Sequence, residues 1–148
     1  MAKRKKKPKS GVESPTSDCV LLCDDVVQSV GKGKHTLVGI IGGVKVPQFP
    51  ATIGGYVAYV RLSNVYGGGQ KIVLRLSVAD TDQMIMETEA VFPPQTDPLG
   101  VYTLVVPVPV FRVLVGGRYI FGAYHNTIPI ASSPINIIGP EKESSNEN

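Results

Sequence analysis

Apolar and polar residues alternate in several short segments of this chain, and this period of two constrains the fold more than any other feature. Residues 71–78 place four apolar side chains on one face: Ile72, Leu74, Leu76 and Val78. Residues 56–62 show the same alternation. Successive side chains of a strand point to opposite faces, so each segment is predicted to be a half-buried β-strand.

Glycine and proline clusters separate these segments, at 31–34, 42–43, 67–69 and 93–100. About 7–9 short strands divided by such turns predict an all-β fold, an antiparallel immunoglobulin-like β-sandwich with little or no helix. Residues 84–91 also alternate, with Met84, Met86, Thr88 and Ala90 on one face, and are counted among these strands. They are nevertheless the strongest candidate for a helix, because Met and Glu favour helix.

Two segments near the end of the chain carry more specific expectations. Residues 117–124 resemble the penultimate strand of immunoglobulin-like domains, which implies that the Tyr119 hydroxyl anchors the preceding loop and that 134–138 is the final strand. Pro107 and Pro109 follow the strand predicted at 101–106. Proline donates no N–H, so this segment is predicted to lie at a sheet edge or a bulge.

Charge divides the chain into three parts. Residues 1–10 hold six cations and no acid, whereas residues 140–148 have a net charge of −2, so the total of +3 leaves the rest near neutral. We predict a disordered basic arm and linker at 1–17, a folded domain at 18–138 and a disordered polar, acidic tail at 139–148. The cations that could contact nucleic acid are Lys3, Arg4, Lys5, Lys6, Lys7 and Lys9.

Neither a secretory leader nor a membrane span is apparent in the sequence. The basic start leads into a polar linker rather than an apolar segment, and the longest apolar runs fall far short of about 20 residues. A cytoplasmic protein is expected. Cys19 and Cys23 would lie about 13 Å apart on a strand, too far for a disulfide, and are predicted to be buried thiols.

No motif in the sequence names a reaction or a cofactor. Asp24 and Asp25 interrupt an apolar strand and would need a bulge, an edge, or a partner such as Arg61 or Arg75. With the turn residues Asp80 and Asp82, they are weak candidates for a Ca²⁺ site.

Catalysis would require a nucleophile, a base and an orienting acid. His35 and His125 are the only histidines, both near predicted turns, and no Gly-x-Ser-x-Gly elbow is present. We therefore expect a protein that is not an enzyme and needs no cofactor, with a small hydrolase kept as an alternative.

Two stretches resemble a small bacterial family of unknown function: Leu-Leu-Cys-Asp-Asp-Val at 21–26 and Pro-Gln-Phe-Pro-Ala-Thr at 47–52. The resemblance covers most of 18–138, and its most specific part is the first third. It implies a fold but no activity, so no functional residue can be carried over.

The expected function is a non-enzymatic binding or assembly module that recognises a protein partner or a second copy through end loops or a sheet edge. The candidate surface combines residues 46–55 with 92–100, and its candidate partner-binding residues are Pro47, Phe49, Pro50 and Phe92. A nucleic-acid accessory that uses the basic arm is the first alternative.

Overall fold

The computed structural model describes residues 15–31, 33–65, 70–97 and 99–140. These residues contain strands and no helix. The eleven strands are β1 (Thr16–Gln28), β2 (His35–Ile40), β3 (Gly43–Lys45), β4 (Ala51–Ile53), β5 (Val57–Ser63), β6 (Gln70–Val78), β7 (Met84–Phe92), β8 (Tyr102–Pro107), β9 (Phe111–Val113), β10 (Gly117–His125) and β11 (Ile128–Ile138).

Two main sheets share one hydrophobic core. The four-stranded sheet has the order β2-β1-β5-β8, the five-stranded sheet has the order β3-β11-β10-β6-β7, and β4 and β9 form a separate ribbon. The core joins residues of both sheets, including Val60 and Leu62 from β5 and Leu74 and Phe121 from β6 and β10. The Ser133 hydroxyl also donates to the Val20 carbonyl. The predicted all-β, sandwich-like class is confirmed, and the strands beyond the predicted 7–9 are three-residue pieces.

Residues 84–91 belong to a strand, as their alternation indicates, and not to the helix for which they were the strongest candidate. β7 pairs with β6 along its length and buries Met86, Ala90 and Phe92 at alternate positions. Helix propensity is a weak preference, and burial of this apolar face in the sandwich overrides it.

β1 departs from the sequence-based expectation at both ends. The strand begins at Thr16, two residues before the predicted start, and its irregularity lies between Ser17 and Cys19 rather than at the aspartates. Asp24 and Asp25 lie beyond Cys23, where β1 leaves β5 and pairs only with β2. An edge therefore accommodates the two carboxylates. The arginines considered as their partners pair elsewhere, Arg61 with Asp18 and Arg75 with Glu87.

The β1–β2 hairpin curls back over the outer face of the four-stranded sheet. His35 pairs with Gln28, yet its ring lies 5.8 Å from that of Tyr59, whose β1 partner is Leu21. A straight strand would separate Leu21 and Gln28 by about 23 Å, so the hairpin must bend.

The bend coincides with Gly39, which has a φ of +63°. A Cβ at this position would lie 2.8 Å from Cγ of Asp24, because the Asp24 carboxylate occupies that space. Position 39 therefore requires glycine for two reasons: its φ is positive, and the Asp24 carboxylate leaves no room for a Cβ.

β8 is an edge strand, as the prolines predict, and it continues through Pro107. Val108 N–H donates to the Tyr56 carbonyl, so the backbone groups of Val108 face β5. Backbone groups alternate in direction along a strand, so those of Thr103, Val105 and Pro107 face away from β5, toward the open edge of the sheet. The missing N–H of Pro107 thus removes no bond from the ladder.

The Tyr119 anchor expected near the end of the fold is present. The Tyr119 side chain is buried, and its hydroxyl donates to the Val115 carbonyl at 2.5 Å, four residues upstream. β10 and β11 pair from Gly117 to His125, so residues 134–138 belong to the final strand, as predicted, and that strand begins earlier, at Ile128.

The described chain enters and leaves the sandwich at opposite ends. Thr16 pairs with Ser63 at one end, which we call the entry end. Ile138 lies beside Lys45 and close to the Gly117 end of β10, at the other end, which we call the exit end. The loops that follow β3 and β8 lie at the exit end.

Candidate functional site

A groove of about 380 Å³ opens at the exit end of the sandwich. It is bounded by β3, the loop 46–50, β4 and Tyr56. Side chains that line it include Lys45, Pro47, Gln48, Pro50 and Thr52.

The groove runs beside two strands that each lack a sheet neighbour on one side. β3 pairs only with β11, through Gly42 C=O to Asn136 N–H at 3.0 Å and Val46 N–H to Ile138 C=O at 2.8 Å. Backbone groups alternate in direction along a strand, so the N–H and C=O of Lys45 point away from β11. β4 pairs only with β9.

The ionisable groups at the groove carry one sign of charge. Lys45 lines it, and none of the carboxylates in the described part of the chain does so. Arg112 lies directly opposite Thr52 in the β4–β9 register, so the two side chains share a face. Within the described ranges, the ion pairs join other residues, and neither Lys45 nor Arg112 takes part in one.

The predicted partner-binding residues of the 46–50 loop differ in role. Pro47 and Pro50 are exposed and line the groove. Phe49 is half-buried, and its ring lies against Gly116 and Gly139, where added Cβ atoms would lie 3.3 and 3.0 Å from Cζ of the ring. Phe49 therefore holds the loop in place, whereas the two prolines form the open surface.

Phe92 is not an exposed loop residue, contrary to its use as a partner-binding candidate. It is the last residue of β7, has 0% exposure and packs against the Tyr102 ring at 5.9 Å between centroids. Residues 92–100 begin at the entry end, where β7 leads to β8, whereas 46–55 lie at the exit end. The two segments do not form one surface.

The four aspartates considered for Ca²⁺ do not converge. Asp24 and Asp25 belong to the hairpin, whereas Asp80 and Asp82 lie in the β6–β7 turn, where Asp82 has a φ of +57°. Asp25 accepts a hydrogen bond from the N–H of Val26 at 2.8 Å. No group of three or more His, Cys, Asp or Glu residues that could hold a metal ion occurs in the described part of the chain.

The two histidines lie on different sheets. His35 is the first residue of β2 and contacts Tyr59. His125 is the last residue of β10 and is buried, and this burial lowers its pKa below the usual 6.5. Neutral imidazole is the favoured form there.

Both cysteines are free thiols on the outer face of β1. Cys23 is buried, as predicted, whereas Cys19 is only half-buried. Burial raises the pKa of both, with added contributions from Asp18 at Cys19 and from Cys19 at Cys23. A raised pKa favours the unreactive thiol form.

The six cations of the basic arm, from Lys3 to Lys9, lie outside the described residues, as does the tail from 141 to 148. The described chain begins at Pro15 and Thr16, at the entry end. Across the described ranges, no helix is long and apolar enough to cross a membrane.

Comparison with known proteins places the chain in a family of unknown function. Residues 18–138 match the model of a family of unknown function, DUF6941, which confirms the resemblance drawn from the sequence. No curated protein matches.

The solved structures that are similar to part of the chain include two glycoside-cleaving enzymes. One is a beta-D-glucoside glucohydrolase from Trichoderma reesei, at 10% identity and a TM-score of 0.38, covering 57% of this chain and 14% of that one. The other is DesR, a beta-glucosidase from Streptomyces venezuelae in complex with D-glucose, at 14% identity and a TM-score of 0.37, covering 59% and 14%. The chain thus spans about a seventh of these proteins, and likenesses at these scores carry no argument about function.

Proposed function

The chain belongs to the family of unknown function DUF6941, and we propose that its domain is a non-enzymatic interaction module that binds an extended, acidic segment of a partner protein in the exit-end groove. The observation that carries this proposal is the groove itself, which runs beside two strand edges without a described neighbour, is lined by Lys45, and has Arg112 opposite its lining residue Thr52.

The unpaired edges suit an extended chain. A peptide that lies along a free strand gains main-chain hydrogen bonds, and the adjoining pockets select its side chains. The backbone N–H and C=O of Lys45 are available for such bonds because they point away from β11. Pro47 and Pro50 present rigid apolar surface beside them.

The charge favours acidic residues in that segment. Lys45 and Arg112 have no carboxylate partner in the described structure, and no acid lines the groove. A carboxylate bound there would meet Lys45, with Arg112 adding positive charge beside Thr52, whereas a basic peptide would be repelled.

The test uses two synthetic octapeptides of alternating Thr and Val, one with two Glu and one with two Lys substituted at the same positions. The full chain should bind the Glu peptide and not the Lys peptide, and binding should weaken as salt is raised. Lys45→Glu should weaken binding of the Glu peptide about tenfold, which corresponds to about 1.4 kcal/mol.

The matched control is Lys34→Glu, at the exposed β1–β2 turn, because Lys34 does not line the groove. Fluorescence anisotropy measures the affinities, and amide shifts of Lys45 and Thr52 locate the peptide. Equal binding of the two peptides, or equal loss from the two substitutions, would overturn the proposal.

A further inference from the structure

The two main sheets end in four outer strands, β2, β8, β3 and β7, and these edges differ in how open they are. β7 carries Glu87 and Glu89, and β3 has three residues and ends in Lys45. β2 contains Gly39, where the backbone leaves the extended conformation. β8 is the only one of the four with neither a charged residue nor a glycine.

The outward-facing backbone of β8 is well suited to pairing. Thr103 and Val105 each direct an N–H and a C=O away from β5, and Pro107 directs a C=O. Within the described residues, no backbone hydrogen bond reaches these groups. An uncharged, regular edge of this kind is a template for another strand, and natural proteins normally protect such edges or cover them.

We propose that β8 pairs antiparallel with β8 of a second copy of this chain, about a two-fold axis at Val105. Val105 N–H donates to the C=O of the partner's Val105, and the partner's N–H donates back. Thr103 N–H donates to the C=O of the partner's Pro107, and the symmetric bond completes a set of four. The two four-stranded sheets thereby become one continuous sheet.

The pattern of donors and acceptors argues for a second copy as the occupant. Pro107 can accept but not donate, and this register places it opposite Thr103, which has an N–H to offer. The side chains fit this register as well, because Val105, which is 42% exposed, would lie directly opposite Val105 of the second copy and could pack against it. At β7, the same symmetry would bring Glu87 and Glu89 close to their own copies, which is unfavourable.

Disulfide trapping tests the register. Directly opposed, hydrogen-bonded residues of an antiparallel pair have Cα atoms about 5.5 Å apart, within disulfide range. Val105→Cys should therefore form a covalent dimer under mild oxidation. Thr103→Cys should not, since two copies of that residue would lie about 14 Å apart. The parent chain, with Cys19 and Cys23 present, is the control.

Sedimentation at several concentrations tests the association itself. The full chain should dimerise, and Val105→Lys should raise the dimer dissociation constant more than tenfold by placing two lysines at the axis. Val91→Lys, on the β7 edge with Val91 71% exposed, is the matched control and should leave the dimer unchanged.

The dimer is independent of the groove, so Lys45→Glu should not affect it. A parent chain that stays monomeric at all concentrations would overturn the proposal. Equal trapping of the two cysteine variants, or equal dissociation by the two lysine variants, would overturn it too.

Discussion

Substitution of Gly39 by alanine should destabilise the domain at the bend of the β1–β2 hairpin. Gly39 has a φ of +63°, and the Asp24 carboxylate fills the space that a Cβ would need. The substitution therefore combines two separate costs, one in the backbone and one in the contact with Asp24.

The two costs can be estimated separately. A non-glycine residue held in the left-handed region loses about 1–2 kcal/mol. Moving the Asp24 side chain off its rotamer adds about 0.5–1.5 kcal/mol. Gly31 supplies the comparison, because its φ is +76° and nothing lies within 4 Å of a Cβ added there. We expect Gly39→Ala to cost about 1 kcal/mol more than Gly31→Ala, which is the contact alone.

Urea unfolding of four variants measures this difference: Gly31→Ala, Gly39→Ala, Asp24→Ala and the double variant Asp24→Ala with Gly39→Ala. In the Asp24→Ala background, the cost of Gly39→Ala should fall toward that of Gly31→Ala, because the carboxylate is gone and only the Cβ of residue 24, 3.1 Å from the added Cβ, remains. If Gly39→Ala costs no more than Gly31→Ala in the parent chain, or if removing Asp24 gives no relief, the reasoning about this contact is refuted.

Two further substitutions probe buried polar groups. Tyr119→Phe should lower the free energy of unfolding, measured by calorimetry, by about 1 kcal/mol because it removes the hydrogen bond to Val115. The control Tyr124→Phe should change it by no more than about 0.5 kcal/mol, and equal losses would contradict the anchoring role of Tyr119. Burial lowers the pKa of His125 in the folded state, so its imidazole takes up a proton more readily in the unfolded chain than in the folded one. The free energy of unfolding should therefore be highest above pH 6.5 and should fall as the pH drops through the folded-state pKa. Between pH 7 and pH 5, the free energy of unfolding should fall less for His125→Gln than for the parent chain or for His35→Gln. An equal fall in all three proteins would contradict the role of His125 in this pH dependence.

The strand pattern was predictable from the sequence because burial imposes it directly. Residues 71–78 alternate since one face of β6 enters the core, and the same cause places Met86 and Phe92 inside despite the helical preference of their neighbours. The curl of the β1–β2 hairpin was not predictable. It depends on a contact between His35 and Tyr59, residues far apart in sequence, and no local pattern encodes such a contact.

The candidate site was predictable only in part. Pro47 and Pro50 indicated an exposed loop, and that loop borders the groove. The contribution of Arg112 was missed, because only the β4–β9 register brings it beside Thr52. Phe92 was assigned to a loop because three prolines follow it in the next six residues, but the strand extends one residue further and carries the ring into the core.

The opposite positions of Thr16 and Ile138 have a mechanical consequence. A force applied between them would act along β1 and β11 rather than across them. Antiparallel hydrogen bonds lie perpendicular to their strands, so those between β1 and β5 would be sheared together instead of being unzipped one at a time. The β1–β5 hydrogen bonds would therefore have to break together under such a force, rather than one after another.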